Sequence, residues 1–126
     1  MKALLHLWKA FVYSLQGIRK TYYDEIAFRI ELAVAVILIP AALLLPVSLI
    51  VSILLIGSVL LVLIIELLNT AVEAIVNRIS TEQHTLSAKA KDIESTAVLM
   101  TSMNLEVVWG IVLFDLIFQY FIDLWK

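Results

Sequence analysis

The chain has no cysteine, which excludes a disulfide framework and any thiolate nucleophile or thiolate metal site. Its three glycines form no G-x-x-x-x-G-K-[ST] or G-x-G-x-x-G segment, so a nucleotide could be held only by side chains. Histidine is scarce as well. His6 and His84 are isolated, offer no metal-binding spacing and support no Ser-His-Asp arrangement. No basic stripe suits a nucleic acid, and none is expected as a partner.

Charge is short too. Of 126 residues, 16% are charged and 63% hydrophobic, whereas a soluble domain carries about 25% charge. The sequence reads as an all-α membrane protein. No charged residue occurs between Leu32 and Ile65, a run longer than the roughly 20 residues that cross a bilayer as helix. It must therefore fold back on itself, and Pro46 with Ser48 makes the turn; Pro40 is expected to kink the span before it. The N-terminus lacks a signal-peptide pattern, because charged residues continue to Glu31, so the first span is expected to remain in the mature protein.

We read residues 1–126 as a single integral-membrane domain. Residues 1–24 place Leu4, Leu5, Trp8, Phe11, Val12 and Leu15 at helical spacing, with Lys2, Lys9, Tyr13, Gln16, Arg19 and Lys20 elsewhere. This pattern fits an amphipathic helix at the membrane interface, its lysines meeting anionic head groups. It fits equally a stripe packed on the protein's own spans. Three transmembrane helices follow, at about residues 30–45, 48–77 and 96–121, with residues 78–95 as a polar connection in which Ser80 and Thr81 end the second span. Lys2, Lys9, Arg19, Lys20 and Arg29 precede the first span, Arg78, Lys89 and Lys91 follow the second, and the turn between them has none. The positive-inside rule then puts the N-terminus and the 78–95 connection in the cytoplasm and the C-terminus outside.

Two carboxylates and two amides interrupt the second span. Glu66, Asn69, Thr70, Glu73 and Asn77 fall within an arc of about 100° on a helix, neighbours three or four apart. Each ionised carboxylate facing lipid would cost at least ~2.5 kcal/mol, so this face must line an interior or a watery site. Oligomerisation is the simplest way to give it a partner, and a seam that only joins helices would use the same residues. Glu66 lies roughly 27 Å from the turn at Ser48, near the far edge of a ~30 Å hydrocarbon core, with Glu73 about 10 Å further on. Glu25 and Glu31 enter the first span at the same depth. Four acids at one interface call for a counterion, and hard oxygen ligands suit Mg²⁺, which usually binds one or two carboxylates together with substrate phosphates. Lys91 and Asp92 add a cation able to pair with phosphate and an anion able to orient it; alone, such a pair is more often solvated. Glu106, with Asn104, is the other costly residue within a span and is expected to face a neighbouring helix.

Glu66-Leu-Leu-Asn-Thr-Ala-Val-Glu73, followed by Arg78-Ile, His84, Leu86-Ser87 and Ala90-Lys91-Asp92 and preceded by Asp24-Glu25-x-x-Phe28-Arg29-x-Glu31, closely resembles the prokaryotic diacylglycerol kinase family. The match covers about residues 9–100. The resemblance implies a small lipid kinase of the bacterial inner membrane, usually a homotrimer, that moves the γ-phosphoryl of MgATP to the hydroxyl of diacylglycerol and makes phosphatidic acid. It implies Glu66 as general base with Asn69 beside it, Glu25 and Glu73 as Mg²⁺ ligands, and Lys91 and Asp92 aligning the phosphates. Tyr13, Glu82, Gln83 and His84 would contact ATP, and His6 would replace an ATP-contacting arginine. Ser14, Arg19, Ala27, Arg29, Glu31, Ser95 and Trp109 would border the lipid. Asp24, Asn77, Ala88 and Glu94 depart from the family pattern, Asn77 standing where aspartate is frequent and Glu94 where a small residue is usual. Undecaprenol kinase is the near alternative. A small oligomeric transporter or scaffold is the alternative of another class, although a proton carrier has no need of Lys91-Asp92 or of a second acid at Glu73.

Overall fold

A computed structural model describes residues 1–79 and 82–126, so Ser80 and Thr81, expected to end the second span, lie outside the described residues. The described chain is helical apart from short connections: α1 Lys2–Asp24, α2 Ile26–Leu44, α3 Leu49–Ile79 and α4 Thr85–Leu124. The last three are long and apolar enough to cross a membrane. α2 spans about 28 Å and matches a hydrocarbon core of ~30 Å, whereas α3 at about 46 Å and α4 at about 60 Å must extend beyond one.

The first connection is tighter than the sequence suggests. α1 runs through the polar Thr21–Asp24 stretch, and a single extended residue, Glu25 (φ −116°, ψ 114°), separates it from α2. The Glu25 amide closes α1 on the Thr21 carbonyl at 2.9 Å, and its carbonyl accepts the Arg29 amide at 3.3 Å as α2 begins. α2 passes through Pro40, which forfeits the bond to the Val36 carbonyl, and ends at Leu44. Ser48 then accepts the Val51 amide on its Oγ at 3.3 Å, an N-cap for α3.

The second difference concerns the connection expected at 78–95. α3 continues to Ile79, and α4 starts at Thr85 with His84 as its cap, so most of that stretch is helix. Its alanines, lysines and leucine favour helix and no glycine or proline opposes it. Polarity there reports distance from hydrocarbon, not loss of helix.

α3 lies between its neighbours. It packs closely against both α2 and α4, while the α2 and α4 backbones make no close approach to each other among the described residues. The core follows this layer: Ala35 and Ala42 of α2, Leu55 and Val59 of α3 and Trp109 of α4, with Leu38, Ile39, Leu105 and Val112 around them. The two alanines let α2 approach α3 closely, and Ser52 Oγ donates to the Ala42 carbonyl at 3.2 Å across that contact. An open layer leaves much apolar surface uncovered. In their most apolar stretches 28% of α3 is buried, but only 17% of α2 and 6% of α4.

Candidate active site at the polar end of α3

The buried stripe of α3 steps through Leu55, Val59, Val62 and Glu66, at intervals of four, three and four residues. One face thus supplies two turns of apolar core and turns acidic without leaving the interior. Glu66 is 4% exposed. Thr70 Oγ1 donates to the Glu66 carbonyl at 3.0 Å, which turns that hydroxyl onto its own helix. Asn69, Thr70 and Glu73 are half-buried and Asn77 is exposed, so the face read from the sequence opens progressively outward.

The acids expected at the interface come within electrostatic reach of one another through Glu66. Glu25 and Glu73 lie within electrostatic reach of Glu66, and Glu66 lies within reach of Glu31. Glu25 sits ahead of α2 but makes no side-chain capping bond, which leaves its carboxylate for other work at the positive end of that helix. A fifth acid joins them from α4. Glu94 is 8% exposed, and its carboxyl meets that of Glu73 at hydrogen-bonding range, with Lys91 and Glu66 also within reach. Sequence reasoning treated Glu94 as a departure only. Its spacing carried the signal, because Glu94, Val98, Thr101, Leu105 and Trp109 form one inward stripe.

Glu31 Oε2 and Glu94 Oε2 are buried without a partner. Buried carboxylate oxygens in that state demand a donor or a cation. Among the described residues no three of Asp, Glu, His and Cys stand close enough to hold an ion unaided. The unpartnered carboxylate oxygens are of the hard-donor type that a divalent cation such as Mg²⁺ accepts.

Beside the acids an open polar cavity of about 750 Å³ is lined by Asn77, Glu82, Gln83, His84, Ser87 and Lys91, among others. Lys91 Nζ donates to Asn77 Oδ1 at 3.1 Å. His84 caps α4, its Nδ1 accepting the Leu86 amide at 3.1 Å. That bond puts the ring proton of a neutral imidazole on Nε2, as a donor beside the cavity. Asp92 is exposed, and its carbonyl accepts Thr96 Oγ1 at 2.8 Å.

Other expected site residues lie apart. His6 and Tyr13 are exposed on α1 and do not line this cavity. Ser14 Oγ donates to the Ala10 carbonyl at 3.0 Å, and the Arg19 guanidinium rests 5.9 Å from the Tyr23 ring centre. Ala27, Arg29 and Ser95 are exposed, as are Asn104 and Glu106. Trp109, expected to border the lipid, packs inside the protomer instead, 8% exposed. Its ring packs in the core cluster with Leu55 and Val59 of α3.

Comparison with known proteins shows which family the chain resembles along most of its length. The family model described as prokaryotic diacylglycerol kinase matches residues 12–113. A diacylglycerol kinase of Haemophilus influenzae is 48% identical over 111 residues, covering 88% of this chain and 94% of the relative. That of Escherichia coli K12 is 43% identical over 107 residues, covering 85% and 88% respectively. That of Helicobacter pylori J99 is 35% identical over 118 residues, covering 94% and 92%.

Proposed function

Because the chain belongs to the prokaryotic diacylglycerol kinase family and is a multi-pass membrane lipid kinase, we propose that it transfers the γ-phosphoryl of MgATP to the hydroxyl of diacylglycerol, giving phosphatidic acid. The observation that carries this reading is the meeting of Glu66, Glu73 and Glu25 within electrostatic reach at the polar end of α3, next to a polar cavity bordered by Lys91. A lipid hydroxyl sits at the membrane interface and ATP in water. A transferase that joins them needs a base at the edge of the hydrocarbon and its metal ligands beyond it, and Glu66 and Glu73 have that order along α3.

Glu66 takes the proton from the lipid hydroxyl as it attacks the γ-phosphorus, with Asn69 beside it. Glu25 and Glu73 would hold Mg²⁺, which would supply charge to offset that on the transferring phosphoryl group. Lys91 pairs with phosphate oxygens and Asp92 orients it. The Glu82-Gln83-His84 segment borders the nucleotide. The chain works as a homotrimer in the bacterial inner membrane, with the N-terminus cytoplasmic and the C-terminus outside. The open three-helix layer supports assembly, since a second copy would cover apolar faces that one protomer leaves bare.

The test offers diacylglycerol and undecaprenol in mixed micelles to purified protein with labelled ATP and Mg²⁺. Label in diacylglycerol is expected. Label only in undecaprenol would reassign the substrate, and label in neither would sink the kinase reading.

A further inference from the structure

We propose that Asn77 is a positioning residue for Lys91: a neutral side-chain amide at the end of α3 anchors the ammonium beside the polar cavity and leaves its charge for nucleotide phosphates. This rests on the kinase reading above and adds a residue to it.

Lys91 is a flexible cation with a choice of anchors. Glu94 follows it by three residues on α4, within electrostatic reach, and Glu73 meets Glu94 there. On α3, Asn77 lies one helical turn beyond Glu73 on the same face. The ammonium takes the amide, donating to Asn77 Oδ1 at 3.1 Å. Among the described residues no carboxylate forms an ion pair with it. The distinction matters for the chemistry. A lysine settled on the Glu73–Glu94 pair would have its charge compensated and its head drawn back among the acids. On Asn77 it keeps one donor tied and two donors free, at a cavity that both residues line. The anchor is partial by design of its chemistry, since an amide oxygen fixes direction but carries no net charge. A phosphate entering the cavity therefore meets an ammonium already aimed and still fully charged.

Calorimetric titration of the full chain in detergent micelles with MgATP tests this. Asn77→Ala should weaken MgATP binding about tenfold, the scale of one hydrogen bond to a charged group. Made in a Lys91→Met background, the same change should alter Kd less than about twofold, because its effect passes through the lysine. Asn77→Asp keeps the shape and the anchor but neutralises the cation. It too should bind MgATP more weakly than the parent at low salt, and the ratio of the two Kd values should shrink as KCl is raised. Unchanged Kd in Asn77→Ala, a full additional loss in the Lys91→Met background, or parental affinity in Asn77→Asp at low salt would each overturn the proposal. Should Asn77→Ala not fold, the near-isosteric Asn77→Asp decides alone. A parent that binds MgATP yet labels no lipid overturns the kinase reading while leaving these ratios readable. A parent that binds no MgATP overturns both.

Discussion

The indole N–H of Trp109 donates to the backbone carbonyl of Leu55, 3.3 Å away, and ties α4 to the second turn of α3. The same carbonyl accepts Ser58 Oγ at 2.7 Å. In hydrocarbon a buried donor must find a partner within the protein, and this one finds it on the helix its ring packs against. Trp109→Phe keeps much of the packing and leaves the Leu55 carbonyl still bonded, so it should destabilise by about 0.5–1.5 kcal/mol. Trp109→Ala should cost roughly 3–5 kcal/mol, because the core around Leu55 and Val59 cannot collapse onto an alanine. Unfolding in micelles followed by near-UV circular dichroism reads both. Full stability of Trp109→Phe together with a raised KM for lipid would move Trp109 from the core to the lipid site.

Glu66 and Glu73 sit two turns apart on one helix, so base and metal ligand are separate duties. Glu66→Gln is close in shape and cannot accept the lipid proton. It should lower kcat by a factor on the order of 10² to 10⁴, the usual contribution of a general base, while binding MgATP within a few-fold of the parent. Turnover by labelled-lipid formation and affinity by calorimetry separate the two. A Glu66→Gln enzyme as fast as the parent would remove the base assignment.

Glu73→Gln should fail in the other direction. Loss of one hard oxygen ligand weakens the hold on Mg²⁺, so MgATP should bind less tightly and higher Mg²⁺ should restore part of the activity. Glu25→Gln should behave alike, since its carboxylate makes no capping bond that the amide would replace. Magnesium titrations of activity check this, and an unchanged magnesium requirement in both variants would dissociate these carboxylates from the metal.

How far the sequence carried each conclusion depends on what kind of signal the residue emits. Glu66 through Asn77 was readable because a 3.6-residue period places costly groups on one face, and that face is where the structure buries Glu66. The break at Glu25 emits no such signal, since one extended residue between two helices needs neither glycine nor proline. The first turns of α4 were obscured for another reason. Lys89, Lys91 and Asp92 are as suitable on a solvated helix as in a loop, and composition does not separate the two. The packing order, with α3 approached closely by both α2 and α4, lies beyond periodicity altogether. Asn77 shows the limit of pattern matching. It registers as a departure in the chain, whereas its contact with Lys91 depends on where α4 begins.

Glu94 sits buried among like charges, and its removal should stabilise the fold. The residue is 8% exposed. It adds negative charge beside Glu73 and Glu66, and its Oε2 has no partner. A buried, incompletely bonded carboxyl is disfavoured by about 1–3 kcal/mol, more when ionised among like charges. Alanine favours helix better than glutamate and leaves only a small void at this half-open end of the layer. Glu94→Ala should therefore raise stability by about 1–2 kcal/mol, read as a higher unfolding midpoint in micelles without added nucleotide or metal. Glu94→Gln separates charge from volume: if repulsion is the cause, glutamine recovers most of the gain. A lower midpoint in both variants would mean that Glu94 has a partner in the assembled protein, and cross-linking at position 94 would then find it.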